Sequence, residues 1–190
     1  MENNVTISIE EVNRVKKNAD LIVPEGDIEI ALEKMASDIT AAIGDKDPII
    51  LCVMIGGMVP AGKLITKMNF PFTVDYVHAT RYRGNITGAD IEWVVKPRCN
   101  LKDEVVLIID DILDEGHTLA RIIEYCKKEG GAADVKTAVL VDKQHDRRFM
   151  DMQADFVGLT VEDRYIFGEG MDYKGYLRNL SGIYALSDED

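Results

Sequence analysis

The residues best equipped for chemistry are four acids in one short stretch. Asp110, Asp111, Asp114 and Glu115 lie within VVLIIDDILDEGHTLARII, 105–123. Carboxylates so crowded repel a bare phosphate. Yet Gly116 lets backbone approach a ligand closely, and Thr118 adds a hydroxyl donor. A helix predicted to begin near His117 or Thr118 also offers unpaired N–H groups and the positive end of its dipole. One ligand type satisfies both facts. It is a phosphate seated on main-chain amides, with sugar hydroxyls or a metal ion facing the acids.

Other elements must hold that stretch in place. Residues 105–109 are apolar, rich in β-branched side chains and without alternation, which predicts a buried parallel strand. A loop over 112–116 leads into the helix. Leu119, Ile122, Ile123 and Cys126 give that helix one buried face, and Gly130-Gly131 end it. The stretch Ile49–Met54, then Ile55-Gly56-Gly57 and a helix to about Met68, predicts a second strand–glycine–helix corner. Two such corners on the carboxyl edge of one open parallel sheet give two anion sites. Further strands are expected over 72–79, 91–96, 135–141 and 156–159.

Lys143 follows one of these strands and so shares the rim with the acids. Residues 144–151 predict a surface loop, and His145, with no second His or Cys nearby, is not expected to bind a metal. The polar, glycine-bearing run TRYRGNITGAD (80–90) is either a cover for the site or a solvated hairpin tip. Upstream, Ser8 and Glu11 form a capping box for a helix to about Ala19. Asp27 is expected to cap a helix over 28–43 that Gly44 closes.

Composition narrows the function classes. The chain has 190 residues, 46% hydrophobic and 29% charged, with a formal net charge of -12. That is ordinary for one soluble globular domain. Strong acidity disfavours nucleic-acid binding and anionic membrane surfaces. No apolar run nears the ~20 residues that span a bilayer. The three cysteines show no CxxC spacing. Cys52 and Cys126 fall in apolar runs and predict packed thiols, a reducing cytoplasm is expected, and the polar start predicts no secretory leader.

The acidic stretch resembles the phosphoribosyl pyrophosphate (PRPP) motif of the type I phosphoribosyltransferases. The matching residues are 106–111, Ile112, Leu113, Asp114, Gly116 and Thr118. Glu115 departs where Thr is usual, and His117 where Lys or Arg is common. A second run, DRYIFGEGMDYKGYLRNL (163–180), is similar to the hypoxanthine-guanine branch through Tyr165, Ile166, Gly168, Gly170, Met171, Asp172, Tyr173, Tyr176, Arg178 and Leu180. Phe167 and Glu169 depart from it. The resemblance covers about 49–180.

That resemblance implies an α/β fold: an open, mainly parallel twisted sheet flanked by helices. The core would span about 27–168, with a small hood from 1–26 and 169–190. It implies a ribose-phosphate site at Asp110, Asp111, Asp114, Glu115, Gly116, His117 and Thr118. Pyrophosphate would lie on Ile55, Gly56, Gly57 and Arg178, beside a cis Met54–Ile55 bond, with Ile55 standing where a basic residue is frequent. Lys143, Tyr165, Ile166 and Asp172 would form the purine site, and Arg81 and Tyr82 the closing loop, with Arg81 in place of a Ser. Mg²⁺ would bind at Asp172, with Asp110 and Asp111 as further candidates. The implied reaction is Mg²⁺-dependent purine salvage. It transfers 5-phosphoribose from PRPP to N9 of hypoxanthine or guanine, with xanthine as a third candidate, giving the nucleoside monophosphate IMP or GMP and pyrophosphate. Asp114 would be the general acid–base residue at the purine N7. The implied assembly is a homodimer or homotetramer.

Three alternatives stand beside this: a PRPP-binding regulator of the same fold, a transferase for another base, and a receiver-type phosphoacceptor pocket. In the last, the acid pair normally follows the first strand, and Gly116 with Thr118 would be unexplained.

Overall fold

The computed structural model describes residues 7–81 and 91–187. Its frame is a six-stranded sheet in the order β4-β3-β2-β5-β6-β7. The strands are β2 Ile49–Met54, β3 Thr73–Arg81, β4 Ile91–Val95, β5 Val105–Leu113, β6 Asp134–Gln144 and β7 Phe156–Glu162. All neighbours are parallel except the antiparallel β3–β4 pair. The chain winds outward from β2 to β3 and β4, then crosses back to lay β5 against the other side of β2. That reversal opens a crevice at the carboxyl ends of β2 and β5.

The continuous apolar runs of β2 and β5 serve two cores at once, because successive side chains of a strand point to opposite faces. Ile50, Cys52, Leu107 and Ile109 pack on one face. There they meet Ile28, Leu32, Met35 and Ile39 of helix α2 (Glu25–Ile43) and Leu64 of α3 (Met58–Ile65). Leu51, Val53, Val106 and Ile108 pack on the other face, with Leu119, Ile122 and Cys126 of α4 (His117–Lys128). The three cysteines are free thiols, with Cys52 and Cys126 buried.

A second sheet, in the order β1-β9-β8, joins the two chain ends. Its strands are β1 Asp20–Val23, β8 Ile166–Phe167 and β9 Ile183–Ala185. Helix α1 (Ile9–Asn18) packs Val12 and Val15 against Phe167, Tyr173 and Leu177 beside it. Its Ser8 hydroxyl accepts the Glu11 N–H at 3.1 Å, the expected cap.

Several boundaries differ from the sequence-based expectations. Strand β5 continues through Asp110 and Asp111 to Leu113, because Asp110, Ile112 and Leu113 keep pairing with β6 as far as Asp142. Asp110 and Asp111 thus belong to the strand end, as do Ile112 and Leu113 of the expected loop, while Asp114 and Glu115 lie beyond it. Likewise β6 runs past residue 141 through Lys143 to Gln144, held by β7. Helix α2 begins at Glu25 after Pro24, with no side-chain cap, so Asp27 lies inside its first turn. Helix α3 stops at Ile65.

Candidate active site

The crevice between β2 and β5 is lined by Val53, Met54 and Gly56 from one corner and by residues 110–119 from the other. These two groups, separate in sequence, interlock tightly. A β-carbon built on Gly56 would lie 1.9 Å from Asp111 Oδ2, so any side chain there would displace the Asp111 carboxylate. The Met54–Ile55 peptide is cis, as the resemblance implied. The Ile55 side chain is half exposed.

At the second corner Gly116 is the N-cap of α4, with φ +87° and no side chain capping the helix. The first backbone bond into the helix is Ala120 N–H to Gly116 O at 2.9 Å. The amides of His117, Thr118 and Leu119 therefore have no intrahelical acceptor, and these residues line the crevice. Glu115 Oε2 lies 3.6 Å from His117 Nε2.

The acids divide into two kinds. Asp110 and Asp111 are buried. Each carboxylate accepts the next backbone amide, Asp111 N–H to Asp110 at 2.9 Å and Ile112 N–H to Asp111 at 2.8 Å, and the two side chains also hydrogen-bond each other. Burial, then the neighbouring Asp111 charge, pushes Asp110 well above the ordinary carboxylate range. Burial raises Asp111 as well, against an opposing pull from Asp110's hydrogen bond and the Arg178 charge. A buried pair of like acids favours a shared proton, a cation or hydroxyl donors.

Asp114 is the other kind. Its Oδ2 receives Lys143 Nζ at 3.3 Å, and its Oδ1 lies 2.7 Å from His145 Nε2. Partial burial opposes ionisation, but the His145 hydrogen bond and the Lys143 charge outweigh it and hold Asp114 below its usual value. Lys143 is shared with Asp163 at 3.3 Å, and Arg147 closes on Asp163 at 2.7 Å.

The hood contributes a third group. Tyr165 is half exposed, and its hydroxyl donates to the Asp172 carbonyl at 3.3 Å. Ile166 is buried in β8. Arg178 donates to Gly170 O at 2.6 Å and pairs with Asp172 Oδ1 at 2.7 Å. Asp172 Oδ2 accepts the Gly175 N–H at 2.6 Å. Gly170 brings the hood onto the first corner: a β-carbon there would meet Gly56 O at 2.1 Å. Glu169 Oε1 is tied to Lys63 of α3 at 2.9 Å.

The structure thus gathers Gly56, Gly57, residues 110–118 and Lys143 at one edge. Tyr165, Asp172 and Arg178 stand together in the hood, linked to the edge by the Arg178 charge on Asp111. Of the expected closing loop, Arg81 ends β3 and Tyr82 lies outside the described residues.

One expectation needs correcting. The surface loop drawn over 144–151 leaves His145 in the site, its side chain 2% exposed against Asp114. The segment folds back because Phe149 N–H donates to Glu115 O at 2.8 Å and the Phe149 ring packs on His117 at 4.4 Å. A lone His in a polar run carries no signal of such a contact. The buried Lys63–Glu169 pair was also missed, since 106 residues separate its partners.

The donor set fits Mg²⁺ to a limited and definite degree. Asp172 offers a one-third-exposed carboxylate, and among the described residues no cluster of three His, Cys, Asp or Glu could hold an ion unaided. Mg²⁺ is a hard cation that keeps waters and is bound through one or two carboxylates together with substrate phosphates. One hood carboxylate beside an anion site meets that requirement.

Comparison with known proteins agrees with this geometry. A solved Staphylococcus aureus hypoxanthine phosphoribosyltransferase superposes with a TM-score of 0.86 at 24% identity, covering 96% of this chain and 98% of that one. The hypoxanthine-guanine-xanthine phosphoribosyltransferase of Tritrichomonas foetus is 27% identical over 183 residues, 96% of each chain. The hypoxanthine-guanine phosphoribosyltransferase of Aquifex aeolicus (strain VF5) is 29% identical over 174 residues, 90% of this chain and 97% of the relative. The sequence pattern of the phosphoribosyl transferase domain matches residues 19–174, so the chain belongs to the phosphoribosyl transferase family.

Proposed function

We propose that the protein is a purine-salvage phosphoribosyltransferase. It moves 5-phosphoribose from PRPP to N9 of hypoxanthine or guanine, with xanthine as a third acceptor, and releases pyrophosphate. One observation carries the reading. A buried acid pair stands directly before an uncapped helix terminus, with a cation-held aspartate on the same rim.

Each residue then has a physical task. The amides of 116–118, with the Thr118 hydroxyl, seat the 5′-phosphate, while Glu115 and His117 shape the same turn. Asp110 and Asp111 take the ribose 2′- and 3′-hydroxyls, which relieves the unfavourable burial of two like acids. Their field also favours the oxocarbenium-like charge that develops on the ribose. Backbone at Ile55, Gly56 and Gly57 receives pyrophosphate, and Arg178 stands over that corner through Gly170. Mg²⁺ held by Asp172, with Asp110 and Asp111 as further candidates, would neutralise pyrophosphate charge as the bond breaks. Tyr165 presents a ring face to the purine, and backbone of Ile166 reads the base edge. Lys143 leaves Asp114 Oδ2 for the purine 6-oxo group. That Oδ2 is then free to exchange the proton at N7. Arg81 and Tyr82 belong to the segment that excludes water. Three free thiols support a reducing, cytoplasmic location. Exposed Val74 and Tyr76 on β3 offer apolar area for a homodimer or homotetramer.

The test is an ultraviolet assay of hypoxanthine, guanine, xanthine, adenine and orotate, each with PRPP and Mg²⁺. Turnover confined to the 6-oxopurines is expected. No turnover with any of them, or turnover only with adenine or orotate, contradicts the proposal.

A further inference from the structure

We infer that His145 is a positioning residue for Asp114, holding one carboxylate oxygen so that the other faces the purine. The inference rests on the reading of Asp114 as the proton-exchanging group. Two observations on the imidazole carry it.

The first is the tautomer. The Arg147 backbone N–H donates to His145 Nδ1 at 3.1 Å. That nitrogen must present its lone pair, so the ring proton sits on Nε2. Nε2 lies 2.7 Å from Asp114 Oδ1, and the ring is 2% exposed. The imidazole therefore aims one ring N–H at one oxygen of one residue.

The second is the division of labour on Asp114. Oδ1 belongs to His145 and Oδ2 to Lys143. Lys143 has a competing partner, Asp163, itself held by Arg147, so its ammonium can turn away from Asp114 without losing every anion. His145 has no such alternative, since its second nitrogen is already occupied by Arg147. When Lys143 leaves for the base, His145 keeps the carboxylate aimed and partly satisfied. The segment carrying His145 is anchored independently. Arg148 pairs with Asp142 and donates to Lys143 O at 2.7 Å, and Phe149 packs on His117. Position 145 is thus a brace running from the β6–β7 connection into the reacting edge.

The charged groups around Asp114 set the direction of any pH effect. Lys143 and His145 touch it, Asp163 and Arg147 stand behind Lys143, and Glu115 lies in the same turn. Removing the Nε2 donor leaves Asp114 easier to protonate, so the acid limb of the kcat profile moves to higher pH.

The experiment compares His145→Leu, His145→Gln and Asp114→Asn in the full-length protein, each checked for an unchanged melting temperature. His145→Leu is expected to lower kcat about tenfold, the scale of one hydrogen bond to a charged group, with KM for PRPP within about twofold. Its acid limb should shift upward. His145→Gln, whose amide nitrogen can stand in for Nε2, should restore most of kcat. If Asp114→Asn is inactive while His145→Leu keeps wild-type kcat and pH profile, the positioning role is wrong and the Asp114 reading survives. If Asp114→Asn is itself fully active, the Asp114 reading fails first. If His145→Leu melts early, His145→Ala takes its place: a kcat about tenfold down that His145→Gln restores supports the role, and equal kcat in the Ala and Gln variants overturns it.

Discussion

Two groups of acids sit within one turn of each other and meet opposite fates. Asp110 and Asp111, at the end of β5, are buried together, and the Arg178 charge acts on Asp111. Burial raises both. Asp114 lies one step out on the rim, held by Lys143 and His145 and kept ionised. The same side chain is thus prepared for two jobs. An acid without a close cation is unsatisfied until hydroxyls or a metal ion arrive, so it binds. An acid gripped by a cation and a ring N–H is charged in advance, which suits it to exchange a proton.

The sharpest way to break this contrast is Asp114→Asn. Turnover should fall by ~10² or more, the scale of acid–base residues, with modest change in KM for PRPP. Steady-state kinetics with near-normal kcat would remove Asp114 from the chemistry. Asp110→Asn/Asp111→Asn should do the reverse, weakening PRPP about tenfold or more through lost charge-assisted hydrogen bonds. Equilibrium binding of PRPP measures it, and unchanged affinity would mean that the pair does not touch the sugar. Lys143→Ala should weaken the oxopurine about tenfold and PRPP much less. Equal losses for both ligands would make the lysine a mere partner of Asp114.

The smallest effect is on stability. Asp110 has its folded value raised above the ordinary 3.8. Its contribution is therefore complete below that value and is lost as pH rises through the raised one. Asp114 and Asp163 behave oppositely, since both are lowered, Asp163 to about 2. Their contribution is present above 3.8 and is lost as pH falls through each lowered value, about 2 for Asp163. The ligand-free protein should thus gain stability as pH falls through the raised Asp110 value, before losing it as pH falls below 3.8 through the lowered values of Asp114 and Asp163. Asp110→Asn should flatten that first gain, a change of a few degrees in Tm at most. An unaltered pH dependence would mean that Asp110 is not strained by burial.

Much of this arrangement was legible in the chain, for identifiable reasons. The runs at 49–54 and 105–109 are apolar on both faces, and only a covered parallel strand asks for that. The acid pair, Gly116 and Thr118 mark the anion corner because backbone freedom and charge are local properties. The sequence predicts a strand that ends at 109 and a loop over 112–116, because the acid pair interrupts the apolar run and gives no pairing signal. Only the ladder to β6 reveals that Asp110 to Leu113 continue the strand. The hood sheet is built from strands of two to four residues, too short for any period to show. His145 and the Lys63–Glu169 pair depend on contacts between distant segments, so their roles exist only after folding.

The most direct test is a crystal structure of the protein with a purine nucleoside 5′-monophosphate. The account predicts the phosphate on the amides of 116–118, the ribose hydroxyls on Asp110 and Asp111, and the purine N7 edge toward Asp114. A nucleotide bound elsewhere, or one with its phosphate away from the start of α4, would contradict it.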